Sequence, residues 1–349
     1  ALELLGTYLS RGKKAPFNKV IVEGDQVADQ AYAYSYTSEL AGQFSVVARA
    51  YNGIDLDSVL KSVNKAMKLF EKNGISQDDL DRIKTSQETD FYQGLSSVLG
   101  KGFQLTQYQI LAGDAAFYEQ DAKNKQAVTI EDVKYVYNKY IKAQHYVMTS
   151  FVPKGSTAFA VTGAQLADVV EERILEGAEE SFDASIAAEY EATPSSFDRT
   201  IEPAYGSTPT LAIPKVYREE LSSGIKVLGI EDNEVPLVQL QLEIKGGMLL
   251  ESTNKIGVSG MLADLMNKGT ATKTPAELED AIDQLGASIN VRSSNQSISV
   301  SSSSLSRNYE EVMKLVNELL LEPRWDKVEF DLIKQQTLSQ IQQQKASSR

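Results

Sequence analysis

Hydrophobic and polar positions follow two spacings along this chain, and the switches between them mark out most of its elements. From Asp55 to Lys72 the apolar residues Leu56, Val59, Leu60, Val63, Met67 and Phe70 recur three or four apart, which predicts a helix with one buried stripe. Asn73-Gly74 stops it. Ser76-Gln77-Asp78-Asp79 opens the next helix, with Ser76 as N-cap and Asp79 at the third helical position, and the pattern runs to about Leu99. Gly100-Lys101-Gly102 is expected to break it before another helix, from Phe103 to Ala112. Thr129-Ile130-Glu131-Asp132 caps a further helix to about Ala143. Before these, residues 1–10 read as helix and Arg11-Gly12-Lys13-Lys14 as a basic loop. Pro16 fits the first turn of a short helix from Phe17 to Glu23. A period of two runs from Gln30 to Tyr36, with Tyr32, Tyr34 and Tyr36 on one face, and the β-branched, apolar run Gln43 to Tyr51 is its expected hairpin partner. His145 to Phe151 reads as a strand ended by Pro153.

The same spacings return after residue 210. Lys215–Leu221 and Ile225–Gly229 flank Ser222-Ser223-Gly224 as a hairpin, and Leu237 to Lys245 alternates strictly. Gly246-Gly247 ends that strand, and a short helix follows within Gly257–Lys268, closed by Gly269-Thr270. Thr274-Pro275-Ala276-Glu277 starts a helix that Leu285-Gly286 ends. Ser288–Val291 and Ser297–Ser303 read as strands, Tyr309–Leu321 as a helix broken by Pro323, and Asp326 onward as a long helix. Adjacent antiparallel strands beside helical clusters predict an α+β fold, with each sheet covered by helices on one face. Residues 1–153 and 211–349 are expected to form separate domains. Between them, residues 154–210 carry Glu171, Glu172, Glu176, Glu179 and Glu180 on one expected helix and read as an acidic linker.

Composition narrows the chemistry. A net charge of −13 argues against nucleic acid or an anionic membrane surface as a partner and suits neutral or basic peptides. The absence of cysteine removes disulfides, thiolate metal sites and cysteine nucleophiles. No apolar run reaches the roughly 20 residues of a membrane span. The chain opens on Ala1-Leu2-Glu3-Leu4-Leu5 and closes within Gln335–Lys345, both in helical pattern, as expected of a piece of a longer protein. His145 is the only histidine, at a helix-to-strand junction, and reads as a surface or locally hydrogen-bonded residue. Asp78-Asp79 and Glu131-Asp132 sit at helix starts and read as caps rather than paired catalytic acids. The tyrosine stripe fits an ordinary strand face better than a peptide-binding surface.

The order of strand, Gly246-Gly247, Glu251, Gly257, short helix and Gly269-Thr270, then Leu285-Gly286-Ala287 before a strand and Leu320-Leu321-x-Pro323 before the last helix, resembles the pitrilysin/insulinase family of inverted zinc peptidases, relatives of mitochondrial processing peptidase. Residues 1–153 resemble the second half of a module of that family, through Gly42-Gln43-Phe44, Asn52-Gly53, Gly74-Ile75 before Asp79-Leu80, and Val128-Thr129-Ile130-Glu131-Asp132-Val133. The resemblance implies the back half of one module followed by the front half of a second. In active members the short helix carries His-x-x-Glu-His: the histidines bind zinc, the glutamate activates the metal-bound water, and a distant glutamate completes the site. Here those positions fall on Gly260, Ala263 and Asp264, and the distant glutamate on Gln340. The resemblance therefore implies no catalytic residue, cofactor or metal in this chain. It implies zinc in an active module outside it, peptide substrates held in a chamber, and the remaining halves of the polypeptide or a catalytic subunit as partners. The alternatives are a wholly non-catalytic structural or assembly protein of the same fold, or an inactive partner of a separate catalytic chain. A Gram-negative cell envelope or periplasm is the expected location.

Overall fold

The computed structural model describes residues 1–38, 40–167, 198, 200–202, 204, 206–208, 210 and 213–346. The acidic run Glu171–Glu180 lies outside them. Residues 1–164 and 233–349 form one compact unit, and residues 165–232 form another.

In the first unit, α1 (Leu2–Ser10) lies on a hairpin of β1 (Ala28–Thr37) and β2 (Gly42–Ala50), paired antiparallel from Ala28↔Ala50 to Thr37↔Gly42. A wide helical turn at Asn18–Gly24, closed by Asp25 N–H donating to the Val20 carbonyl at 2.8 Å, joins α1 to the hairpin. The helices α2 (Leu56–Asn73), α3 (Gln77–Leu95), α4 (Val98–Ala112), α5 (Phe117–Ala127) and α6 (Ile130–Tyr140) follow. The starts of all but α5 are set by side chains that satisfy free N–H groups. Asp55 accepts from the Ser58 N–H at 2.8 Å and Ser76 from Asp79 at 3.1 Å, while Thr129 and Asp132 form a reciprocal capping box. Leu4, Leu5 and Leu9 of α1 then pack with Phe17, Ile21, Ala33, Phe70, Leu80, Ile83, Val133 and Tyr137 in a first apolar core. The opposite face of the hairpin stays open: Tyr32 and Tyr34 stack at 6.1 Å and are 41% and 43% exposed.

The later part of the same unit holds β5 (Leu237–Lys245), α7 (Val258–Met266), α8 (Pro275–Gln284), β6 (Ser288–Ser293), β7 (Ser297–Leu305), α9 (Tyr309–Leu321) and α10 (Lys327–Ala346). Its antiparallel sheet has the order β5-β7-β6, with β7 central. Helices cover one face through a second core of Ala263, Met266, Leu278, Ile289, Val291, Val300, Val312, Leu315, Val316 and Leu319. Helix α8 starts in a second capping box, Thr274 with Glu277, and carries Pro275 in its first turn. The other unit contains the hairpin β3 (Val216–Glu220) and β4 (Lys226–Ile230), paired antiparallel from Val216↔Ile230 to Glu220↔Lys226. The fold class is α+β.

Three expectations are corrected. The helix break falls at Ser96, not at Gly100-Lys101-Gly102, because Ser97 caps α4 by accepting from the Gly100 N–H at 3.0 Å and the glycines continue the helix. Helix α5 was not expected; its sequence, Phe117–Ala127, carries no apolar stripe and buries no residue. Residues 145–151 form no strand. Val147 and Phe151 are about nine-tenths exposed, and among the described residues no strand pairs with the segment, so its backbone has no ladder to join.

Candidate functional site

The short helix α7 is positioned from both ends. At its entrance, β5 passes into Gly246-Gly247, and that pair lies against the turn between β6 and β7. The Gly246 N–H donates to the Gln296 carbonyl at 3.0 Å, Met248 to Ser294 at 3.1 Å and Leu249 to Asn295 at 2.9 Å. Gly247 has φ +86°, and a Cβ there would lie 2.4 Å from the Ser294 carbonyl oxygen, so only glycine fits without displacing the backbone. Glu251 then caps the helix from outside. Its carboxylate accepts from the Gly257 N–H at 2.6 Å, the Ser259 N–H at 2.7 Å and the Ser259 hydroxyl at 2.5 Å. The Ser259 hydroxyl and the two N–H groups hold the Glu251 carboxyl below its usual range.

At the exit, Asn267 works as a piece of strand backbone. Its side-chain amide donates to the carbonyls of Ala263 and Val291, both at 2.9 Å, and its oxygen accepts from the Val291 N–H at 3.0 Å. This ties the end of α7 to the edge of β6. Next, Thr270 is fully buried; its hydroxyl donates to Glu318 at 2.5 Å, and Lys273 reaches the same carboxylate at 2.6 Å, with Thr272 as a third donor. Burial by itself would raise the Glu318 carboxyl, but donation from Lys273, Thr270 and Thr272 outweighs it and holds the group at about 2. Neither Asn267 nor Glu318 stands out in the sequence. The available signals were a helix-ending asparagine and one carboxylate on the polar flank of an apolar helix.

On this scaffold the four positions aligned with zinc chemistry sit as follows. Gly260 and Asp264 lie one turn apart on α7; a Cβ at Gly260 would meet open space, and Asp264 is exposed. Ala263, on the adjoining side of the helix, is 1% exposed within the second core. Gln340 lies on α10. The helix offers a metal one carboxylate, since glycine and alanine carry no donor. Zinc held by protein takes three or four nitrogen, sulfur or carboxylate ligands, so these residues do not fit it. Among the described residues no three His, Asp or Glu side chains converge as a metal site. None of their helices is long and apolar enough to cross a membrane. His145 lies in the segment after α6, away from α7 in sequence and in a stretch without regular structure.

Two predictions test how the helix is held. Gly247→Ala is expected to destabilise the fold by at least roughly 1–3 kcal/mol, the cost of a side chain in this backbone region, as read by urea denaturation. The Glu318 cluster sets a pH dependence. Its folded value, about 2, lies below the ordinary 4.5, so its stabilisation is complete above the ordinary value and drains away as pH falls toward the folded one. Glu318→Gln is expected to lower stability at neutral pH and to flatten the acid limb of the stability curve over that window.

Two family descriptions match the chain. "Peptidase M16 inactive domain" matches residues 1–87, and "Insulinase (Peptidase family M16)" matches residues 226–349. Together they cover more than half of its length. Two curated relatives come from Helicobacter pylori. The non-peptidase homolog YmxG is 22% identical over 130 residues, 37% of this chain and 30% of that protein. The zinc protease PqqE is 25% identical over 97 residues, 28% of this chain and 22% of that protein. The chain thus spans less than a third of the length of these relatives. A crystal structure of a peptidase M16 inactive domain from Pseudomonas fluorescens is 26% identical, covering 38% of this chain and 32% of that one, with a TM-score of 0.36. The chain belongs to the peptidase M16, or insulinase, family, with an inactive-domain segment followed by an insulinase-type segment.

Proposed function

We propose that this chain is the scaffold and chamber wall of a zinc metalloendopeptidase, and that it cleaves nothing itself. Residues 1–153 supply the back half of one module and residues 211–349 the front half of a second, degenerate one. The observation that carries this reading is α7. Its glycine turn, its Glu251 cap and its Asn267 tie are complete, while Gly260, Ala263 and Asp264 stand where ligands and a general base would be. Selection for shape without selection for chemistry fits a wall better than a reaction centre. The zinc protease among the relatives supports placing the metal in a module of the same protein outside this chain. The acidic balance favours neutral or basic peptide segments as the material enclosed, and the cell envelope remains the proposed location.

A second reading, a wholly non-catalytic structural or assembly protein, is favoured by the relative described as a non-peptidase homolog. The two readings divide on one assay. The whole protein is incubated with an unfolded polypeptide, with and without a chelator. Chelator-sensitive cleavage supports the first reading, and no cleavage with bound zinc absent supports the second.

The present chain gives its own test. After dialysis it is expected to retain no stoichiometric zinc by elemental analysis; one tightly held zinc per chain would overturn the reading of α7. The double variant Gly260→His with Asp264→His places two imidazoles one turn apart. It is expected to bind Zn²⁺ at least about tenfold more tightly than the parent chain, a gain that needs only about 1.4 kcal/mol.

A further inference from the structure

Helix α4 is packed inside out. It lies against α3 and α5, and the side chains it turns toward them are polar. The Tyr108 hydroxyl donates to Asp121 at 2.7 Å, and Lys101 pairs with Glu234. Gln104 crowds the α3 backbone so closely that a Cβ at Gly94 would lie 2.6 Å from its Nε2, and its Oε1 is buried without a hydrogen-bond partner. The apolar residues lie on the other side. Leu99, Phe103 and Ile110 recur with Thr106 at helical spacing and are 71%, 70% and 72% exposed. Val98 and Leu111 flank this stripe and are exposed as well, and no residue of α4 is buried. An amphipathic surface helix ordinarily does the reverse, burying its apolar stripe and wetting its polar one.

Size, charge and spacing each bear on what covers the stripe. At about 150–200 Å² for a fully exposed large apolar side chain, the five residues leave roughly 600 Å² of apolar surface in one patch. That is the upper end of what a monomer shows, and it fits the apolar share of a standard interface of about 800 Å² per partner. The chain has a net charge of −13, yet from Phe91 to Gly113 it holds no Asp or Glu and a single cation, Lys101. This neutral window is where a second strongly negative molecule meets least repulsion. The stripe falls on residues 99, 103, 106 and 110, steps of four, three and four that read the same in both directions. Two such helices laid antiparallel about a two-fold axis therefore match each other. Leu99 meets the partner's Ile110, and Phe103 meets the partner's Thr106.

We propose that the apolar stripe of α4 is a self-association surface, on which a second copy of this chain docks through antiparallel, two-fold symmetric pairing of the two α4 helices. An isologous contact uses one patch twice, so no second complementary surface is required. Phe103 is the anchor, because it lies beside the axis and faces the smaller Thr106 of the other copy. The stripe is displayed in advance. The Ser97 cap, which accepts from the Gly100 N–H at 3.0 Å, and the Tyr108–Asp121 bond hold the helix with its apolar side outward, so docking costs little rearrangement. The attraction is apolar and the two copies repel by charge, so added salt strengthens the pairing.

Sedimentation equilibrium of the intact chain is expected to show monomer and dimer, shifting toward dimer as salt rises from about 0.1 M to about 1 M. Phe103→Glu is expected to weaken the dimer about thirtyfold or more, the scale of a hot-spot aromatic, while far-UV circular dichroism stays unchanged because the side chain is exposed. Val328→Glu, at a comparably exposed apolar residue of α10, is expected to leave the dimer intact. Cross-linking reads the register, since the chain has no cysteine of its own. Residues 99 and 110 lie about 16 Å apart along the helix. Chains with Leu99→Cys and chains with Ile110→Cys are expected to cross-link through a short bismaleimide when mixed, and neither to do so alone. A chain still monomeric at about 0.1 mM, a concentration at which even weak pairing shows, overturns the proposal. So does a dimer that Phe103→Glu leaves unchanged, or cross-linking that Leu99→Cys gives equally well alone. Binding of a monomeric chain to neutral phosphatidylcholine vesicles, abolished by Phe103→Glu, overturns it as well, because the stripe would then be a membrane contact.

Discussion

Burial of apolar side chains is completed twice in the larger unit, once around Leu4, Leu5, Leu9, Phe17 and Phe70 and once around Val300, Val312, Val316 and Leu319. Charge pairs and hydrogen bonds join the elements between those clusters. That separation explains an arginine at 8% exposure among three carboxylates, a bidentate Arg307–Glu88 pair, and a glycine at 286 where two backbones nearly touch. A larger shared core would have made these groups unnecessary, and their desolvation would then have cost stability without return.

The second core also governs the degenerate helix. Helix α7 inserts Ala263 and Met266 into it, and the glycine turn, Glu251, Asn267 and the Thr270–Glu318 contact hold the helix at that angle. Of the positions at which zinc chemistry resides, only Ala263 takes part, through its side chain in the core and its carbonyl, which accepts from Asn267. Gly260 and Asp264 look outward, so the structural demands on α7 and the chemical demands on a zinc helix fall on different faces. A helix can lose its ligands and keep its place for that reason. Ala263 is the exception: a carboxylate at this position would be drawn into an apolar cluster, which burial of charge penalises.

Elements with strong local signals were legible from sequence. The caps at Ser76, Thr129 and Thr274, the strict alternation of Leu237–Lys245 and the tyrosine hairpin all form where the pattern placed them. Failures came where local pattern was neutral. Gly100 and Gly102 do not break a helix that Ser97 has already begun, and Phe117–Ala127 is helical without an apolar stripe. Residues 145–151 have strand composition, yet strand formation needs a partner edge that composition cannot supply.

By itself, the sequence determined the fold class, the family, and the absence of histidine from the helix after the glycine turn, because each is carried by residue type and spacing along one stretch of chain. Only the tertiary structure decided which residues hold that helix from a distance, Asn267 through β6 and Glu318 through Thr270, and that Arg82 meets Asp280 and Asp283. Those pairs lie from 24 to about 200 residues apart in sequence, too far for any periodicity to register. What brings them together is the separate closure of two apolar cores, which fixes where the polar surfaces between them must meet.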